Sequence, residues 1–210
     1  MRTPDKHAPD TKDDNAVQIL REELTTLSPQ SRKIATLYFQ AHHLKHIYRK
    51  GWLEHNIVGK NCESVADHTF GVAFLALILA DEVDPSLNHE KLLKMALLHD
   101  YSESVIGDTT PRNEVDHTFR KHMESEIFSD FFSTLKGGEN LIRLFQEFEK
   151  QTSPEAKFLK EIDALEMSLQ AAFYEKKHGM NLETFFQSAD NSIHSPLIRK
   201  LFQEIRSFKS

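Results

Sequence analysis

The chain is poor in the residues that cross-link or punctuate structure. A single cysteine, Cys62, in 210 residues excludes an intrachain disulfide, so a reducing, cytoplasmic setting is the simpler expectation. Seven glycines and seven prolines are too few for the many turns of an all-β domain. No run of alternating apolar and polar residues stands between turn signals. Long hydrophobic runs are missing too. "VAFLALILA" (residues 72–80) is half of the roughly 18 residues a membrane helix needs, and it stops at Asp81. Nor is there an excess of positive charge. A net charge of -6 argues against a broad surface for a nucleic-acid polymer, while a local basic pocket for phosphate stays possible. The opening "MRTPDKHAPDTKDDNA" lacks the apolar core of a secretory signal. Its Asp, Lys, Thr and Pro content predicts a disordered tail over residues 1–15, leaving 16–208 as one domain.

What is present reads as helix throughout. Three Ser-Pro pairs, Ser28-Pro29, Ser153-Pro154 and Ser195-Pro196, each precede an apolar-periodic segment. Serine suits the N-cap, and proline suits the first helical position, where its missing N–H is not needed. The pattern predicts helices over about 29–48, 63–81, 90–105, 114–135, 139–150, 154–177, 182–189 and 196–208. Ile34, Leu37, Tyr38, Ala41 and Leu44 mark one face of the first, and "RKGWLEHNIVGKNCES" reads as the loop after it. The second is apolar nearly all round, the mark of a buried central helix. The expected fold is all-α, a single helical domain.

Histidine is the departure from average, with 12 residues. The informative ones sit with acids on apolar helices. "MALLHDYSESVIGD" (residues 95–108) sets His99 and Asp100 directly behind a core pattern, then Glu103 and, past Gly107, Asp108. Burying a charged group is costly unless it is paired or bound to a metal. Val65, His68, Val72 and Leu75 recur at helical spacing, so His68 lies on a packed stripe; alone, it reads as a core histidine with one hydrogen-bond partner. Leu159, Ile162, Glu166, Leu169 and Phe173 mark the inward stripe of the sixth helix, with Asp163 among them rather than beside Lys157 and Lys160. The plain alternative is that Asp163 borders that stripe and pairs with an arginine. Read together, His68, His99, Asp100 and Asp163 suit one divalent ion such as Mn, Fe, Co, Ni or Zn, with Mg a further candidate. The spacing permits their convergence and does not establish it. His42, His43, His46, His55, His117 and His122 match no ligand position and read as surface or loop residues.

These residues carry a resemblance. The order His68 … His99-Asp100 … Asp163 resembles the HD-domain superfamily of metal-dependent phosphohydrolases, and more narrowly its 5′-deoxynucleotidase branch. "LKHIYRKGW", "ESVADH", "HDYSESVIGDTTP" and "SPEAKFLKEIDALEM" are similar to four segments of that branch, over about residues 44–174. The resemblance implies an all-α HD-domain bundle with a metal held by His68, His99, Asp100 and Asp163. It implies hydrolysis of deoxyribonucleoside 5′-monophosphates to deoxynucleoside and phosphate, by a homodimer. It assigns Glu103 and Asp108 to the attacking water, and Arg49 and Trp52 to the substrate pocket. Elementary chemistry agrees: Arg49 can grip phosphate by paired hydrogen bonds, and Trp52 offers an apolar face to a sugar or base. A close-fitting ring near C2′ would exclude a 2′-hydroxyl.

Two other readings stay open on sequence grounds. One is a different HD phosphohydrolase acting on a cyclic nucleotide, (p)ppGpp or a nucleoside triphosphate, since all share the ligand set. The other is a non-catalytic helical module that binds a metal or nucleotide.

Overall fold

The computed structural model describes residues 23–110 and 117–208. The tail expected over residues 1–15, and the start of the helix expected from residue 114, lie outside the described residues. The chain divides into two compact units, residues 1–40 and 41–210. Among the described residues the structure is helical, and a lone antiparallel bridge between Tyr48 and Ser64 is its one β pairing.

In the first unit the chain enters α1 (Pro29–His43), where the Ser31 N–H donates to Ser28 Oγ. This helix stops at His43, not Tyr48, and the physical reason lies further along. The carbonyls of Leu44 and Ile47 accept hydrogen bonds from Ala66 N and Val65 N. They thereby satisfy donors that the first turn of the next long helix leaves free.

The second unit includes the segment expected to be loop. It holds a short helix, α2 (Lys50–Glu54), and a 3-10 turn, Gly59–Asn61. Then come α3 (Val65–Val83), α4 (His89–Leu98), α5 (Glu103–Ile106), α6 (His117–Phe132), α7 (Gly138–Lys150), α8 (Pro154–His178), α9 (Glu183–Ser192) and α10 (Pro196–Ser207). A capping box starts α3: Asp67 N donates to Ser64 Oγ, and Ser64 N donates to Asp67 Oδ2. Asn88 caps α4 by accepting from Lys91 N. Ser153 caps α8 by accepting from Ala156 N. Ser195 precedes α10 as expected, but its hydroxyl and N–H both donate to Glu161 on α8 rather than capping its own helix. Gly179 closes α8 in the left-handed conformation, at φ 66°.

The central element is α8, which packs against α3, α4, α7, α9 and α10. Its Leu159, Ile162 and Leu165 meet Val72 and Ala76 of α3 and Leu92, Met95 and Ala96 of α4 in one core. The helix expected over 90–105 is in fact interrupted. The last residue of α4 is Leu98, tight turns follow (Tyr101 N to Leu98 O, Glu103 N to Asp100 O), and α5 resumes at Glu103. Tyr101 anchors that break in an aromatic cluster with Phe128 and Phe132, and Phe128 stacks on Phe145.

Two apolar expectations are corrected. The helix α3 is buried on one side only; Phe70, Phe74, Leu77 and Ile78 are exposed. Phe173, expected on the inward stripe of α8, is exposed as well.

Candidate metal centre and active site

Three helices bring the expected ligands to one place. His68 projects from the second turn of α3, His99 and Asp100 from the end of α4, and Asp163 from the middle of α8. His68 Nε2 lies 3.2 Å from Asp163 Oδ1 and 3.7 Å from Asp100 Oδ2. His99 Nε2 lies 3.3 Å from Asp100 Oδ2. Both rings are pinned from behind: the Ala96 carbonyl accepts from His99 Nδ1 at 2.8 Å, and Glu166 Oε2 accepts from His68 Nδ1 at 2.6 Å. With the proton on Nδ1, each Nε2 turns a lone pair towards the carboxylates. Neither Nε2 makes a hydrogen bond among the described residues, although both are buried. Donor atoms of His68, His99 and Asp100 all fall within 4.8 Å of one another, a spread that one cation can bridge.

The electrostatics fit a cation there. Burial and Arg49 both push His68 down, yet the neighbouring carboxylates of Asp163 and Glu166 carry it up to about 10. Burial opposes ionisation of Asp100, but His99 and Arg49 hold it far below the usual carboxylate range. Asp163 is likewise held low, with Lys160 and His68 outweighing its desolvation. A centre that stabilises two carboxylates and draws protons onto an imidazole is one that favours positive charge. Imidazole nitrogen with carboxylate oxygen is a donor set for first-row divalent ions. The residues present therefore fit a bound metal.

Around the cluster, the structure places the other expected residues unevenly. Arg49 stands at the N-cap of α2 with Nη1 3.3 Å from Asp100 Oδ2 and 3.4 Å from Asp108 Oδ1. Burial alone would weaken its charge, but Asp108 and Asp100 outweigh that and hold the guanidinium fully protonated. Asp108 follows Gly107 (φ 76°) and turns back to accept from Lys50 N, the start of α2. Glu103 is buried; Arg120 Nη2 lies 3.3 Å from its Oε1, while its Oε2 has no hydrogen-bond partner. Burial and the nearby Asp100 and Asp108 push its pKa well up.

Two expectations change. Trp52 does not line an open pocket: it is 2% exposed, stacked on Phe185 (centroids 4.2 Å apart) and edge-on to Tyr174. Its Nε1 donates to Glu63 Oε2 at 2.7 Å. The short helix α2 explains this, because it rolls the ring into the core instead of leaving it on a loop. Asp163, for its part, pairs with no arginine among the described residues. Lys160, one turn earlier on α8, donates to its Oδ2 at 2.8 Å, and only Oδ1 faces His68.

Four residues escaped the sequence reading. Glu166 was visible on the inward stripe but had no role assigned. Glu63, at the start of the helix expected over 63–81, is buried against Trp52, and burial and Glu166 raise it to about 7. Arg120 and Tyr174 gave no sequence signal: Arg120 bonds Glu103, Glu124 and the Gly107 carbonyl, and Tyr174 accepts from Glu63 N through its hydroxyl oxygen.

A family model described as "HD domain" matches residues 41–206. The chain belongs to the HD-domain family. This HD domain is 36% identical over 166 residues to "5'-deoxynucleotidase HDDC2" of Danio rerio, covering 77% of this chain and 80% of that one. It is 36% identical over 169 residues to "5'-deoxynucleotidase hdd1" of Schizosaccharomyces pombe, covering 77% and 83%. Among solved structures, a conserved hypothetical protein from Pyrococcus furiosus superposes with a TM-score of 0.70 at 31% identity, covering 82% of this chain and 99% of that one. The PH0347 protein from Pyrococcus horikoshii gives 0.69 at 31% identity, covering 83% and 98%.

Proposed function

We propose that this HD-domain protein is a metal-dependent 5′-deoxynucleotidase, releasing phosphate from deoxyribonucleoside 5′-monophosphates. One observation carries the reading: two buried imidazole Nε2 atoms, without hydrogen bonds among the described residues, face one shared carboxylate oxygen, Asp100 Oδ2. The names of the relatives, each a 5′-deoxynucleotidase, support the substrate class.

His68, His99, Asp100 and Asp163 would hold one divalent ion. When bound, such an ion polarises a phosphoryl oxygen and makes a water more acidic. The rest falls to this chain's own side chains. Arg49, half-buried between Asp100 and Asp108, offers a guanidinium to the phosphoryl oxygens. Asp108 fixes the start of α2 and so the position of Arg49. Glu103 Oε2 is the free acceptor that takes a proton from the attacking water. The P–O5′ bond breaks as the water oxygen bonds phosphorus, and one proton ends on the nucleoside 5′-oxygen. Trp52 does not touch substrate in this reading; it holds Glu63 beneath the site.

The exposed strip Phe70, Phe74, Leu77 and Ile78 on α3 supports a homodimer, since contiguous apolar surface favours association. A cytoplasmic home fits the thiol of Cys62, which burial and Glu63 push up to about 12, leaving it unreactive. No helix among the described residues is long and apolar enough to cross a membrane.

The test is phosphate release from dAMP, dGMP, dCMP and dTMP with Mn²⁺ or Co²⁺, against a cyclic nucleotide and a nucleoside triphosphate. Hydrolysis of the monophosphates is expected. Turnover of only the triphosphate or the cyclic nucleotide would overturn the reading.

A further inference from the structure

Glycine is a poor helix former, so a glycine inside a long helix asks for a reason. Gly71 lies in α3, one turn beyond His68, with no positive φ to explain it. Space explains it instead. A Cβ at Gly71 would stand 2.6 Å from Glu166 Oε1 and 2.9 Å from Glu166 Cγ. The missing side chain is what lets Glu166 of α8 lie flat against α3. From there its Oε2 accepts from His68 Nδ1 at 2.6 Å, and the glutamate is itself buried.

We infer that Glu166, seated on Gly71, is a positioning residue that fixes the tautomer and angle of the His68 ring so that Nε2 faces Asp100 and Asp163. The inference rests on the ligand set proposed above. Its physical basis is general. An imidazole ligand whose other ring N–H is held by a carboxylate keeps one nitrogen free, cannot swing, and is a stronger donor. His99 receives the weaker version, with a neutral backbone carbonyl from Ala96 behind it. The two ligands are therefore supported unequally, and His68 is the one tied to a second helix. Glu63 approaches the same back side: donor atoms of Glu63, His68 and Glu166 lie within 4.8 Å of one another. The Nδ1–Oε2 distance of 2.6 Å is that of a hydrogen bond and leaves no room for a second ion between the two atoms.

The test titrates Co²⁺ into metal-stripped protein and reads its visible absorption, which reports ligand field and stoichiometry directly. Four proteins are compared with the parent: His68→Ala, Glu166→Gln, Glu166→Ala and Gly71→Ala. The parent is expected to take up one equivalent and His68→Ala to lose it. Glu166→Gln, whose amide has no fixed preference for accepting, should bind about 10- to 100-fold more weakly, with a shifted spectrum. Glu166→Ala should bind more weakly still. Gly71→Ala is the independent arm, because it touches no ligand and favours helix. Its methyl displaces the end of Glu166, so it should reproduce the spectral shift with helical content retained. Parent-like affinity and spectrum in both Glu166→Gln and Gly71→Ala would overturn the inference while the ligand set stands. A second equivalent bound by the parent and lost in Glu166→Gln would overturn it in favour of a metal on Nδ1. No uptake by the parent would sink the ligand set itself.

Discussion

Arg120 reaches Glu103 from α6: its Nη2 lies 3.3 Å from Glu103 Oε1 and leaves Oε2 as the free oxygen. The same guanidinium holds Glu124 through Nε at 2.6 Å and the Gly107 carbonyl at 3.3 Å. One side chain therefore ties both ends of α5 to the next long helix. Glu103→Gln keeps the shape and removes the base, so kcat should fall by about 100- to 10,000-fold while metal uptake is unchanged. Single-turnover phosphate release with metal analysis of the same sample checks both halves.

Asp163→Ala should abolish both metal uptake and hydrolysis and leave the helical content intact. Elemental analysis and far-UV circular dichroism read the two outcomes. Activity equal to the parent would remove Asp163 from the ligand set.

Arg49→Lys retains a positive charge near Asp100 and Asp108 but loses the planar fork. If Arg49 grips phosphate, KM should rise by about 10-fold, equivalent to about 1.4 kcal/mol, with a smaller change in kcat. Steady-state kinetics on dAMP decides it.

Gly107→Ala tests the turn that returns Asp108 to α2. At φ 76° and ψ 164° the backbone occupies a region open essentially to glycine alone, so alanine should cost about 1–3 kcal/mol. Urea unfolding measures this. The empty space around a Cβ at this position means that the loss comes from the backbone and not from a clash.

The pH dependence of stability can be read away from the metal cluster, at Glu155. This carboxylate accepts from Lys91 Nζ at 2.9 Å and Asn88 N at 3.2 Å. Burial pushes its pKa up, but Lys91 and the backbone donors outweigh burial and hold it below the ordinary 4.5. The unfolded chain therefore binds the proton more readily. The contribution is full above 4.5 and is lost as the pH falls through the lower folded value. Glu155→Gln should cost about 1 kcal/mol at neutral pH, with the difference from the parent narrowing below pH 4.5. Urea midpoints at several pH values would show a constant gap if the pairing contributes nothing.

Helix existence was legible because the signals are local. Ser28-Pro29, Ser153-Pro154 and Ser195-Pro196 all mark real helix starts. The four metal candidates were legible because an acid directly behind the apolar "LLKMALL" has few other uses. What sequence spacing hid was contact between distant helices. Nothing in a helical pattern says that Trp52 folds inward onto Phe185, or that Arg120 crosses to Glu103. The break after Leu98 was hidden for a different reason. The turn residues His99 to Ser102 include no glycine or proline, and the interruption is held by the packing of Tyr101 against Phe128 and Phe132.

The route of the chain through the cluster sets how the protein should be handled. His68 and Asp163 sit on helices that are far apart in sequence and meet only when α8 closes on α3 and α4. No single helix carries the proposed donor set, so the ion would be a ligand of the assembled domain alone. Free metal then acts on the melting temperature by mass action: each tenfold rise in saturating metal adds about 1.4 kcal/mol to the folded state. Buffers with chelators and buffers without them would therefore hold proteins of measurably different shelf life.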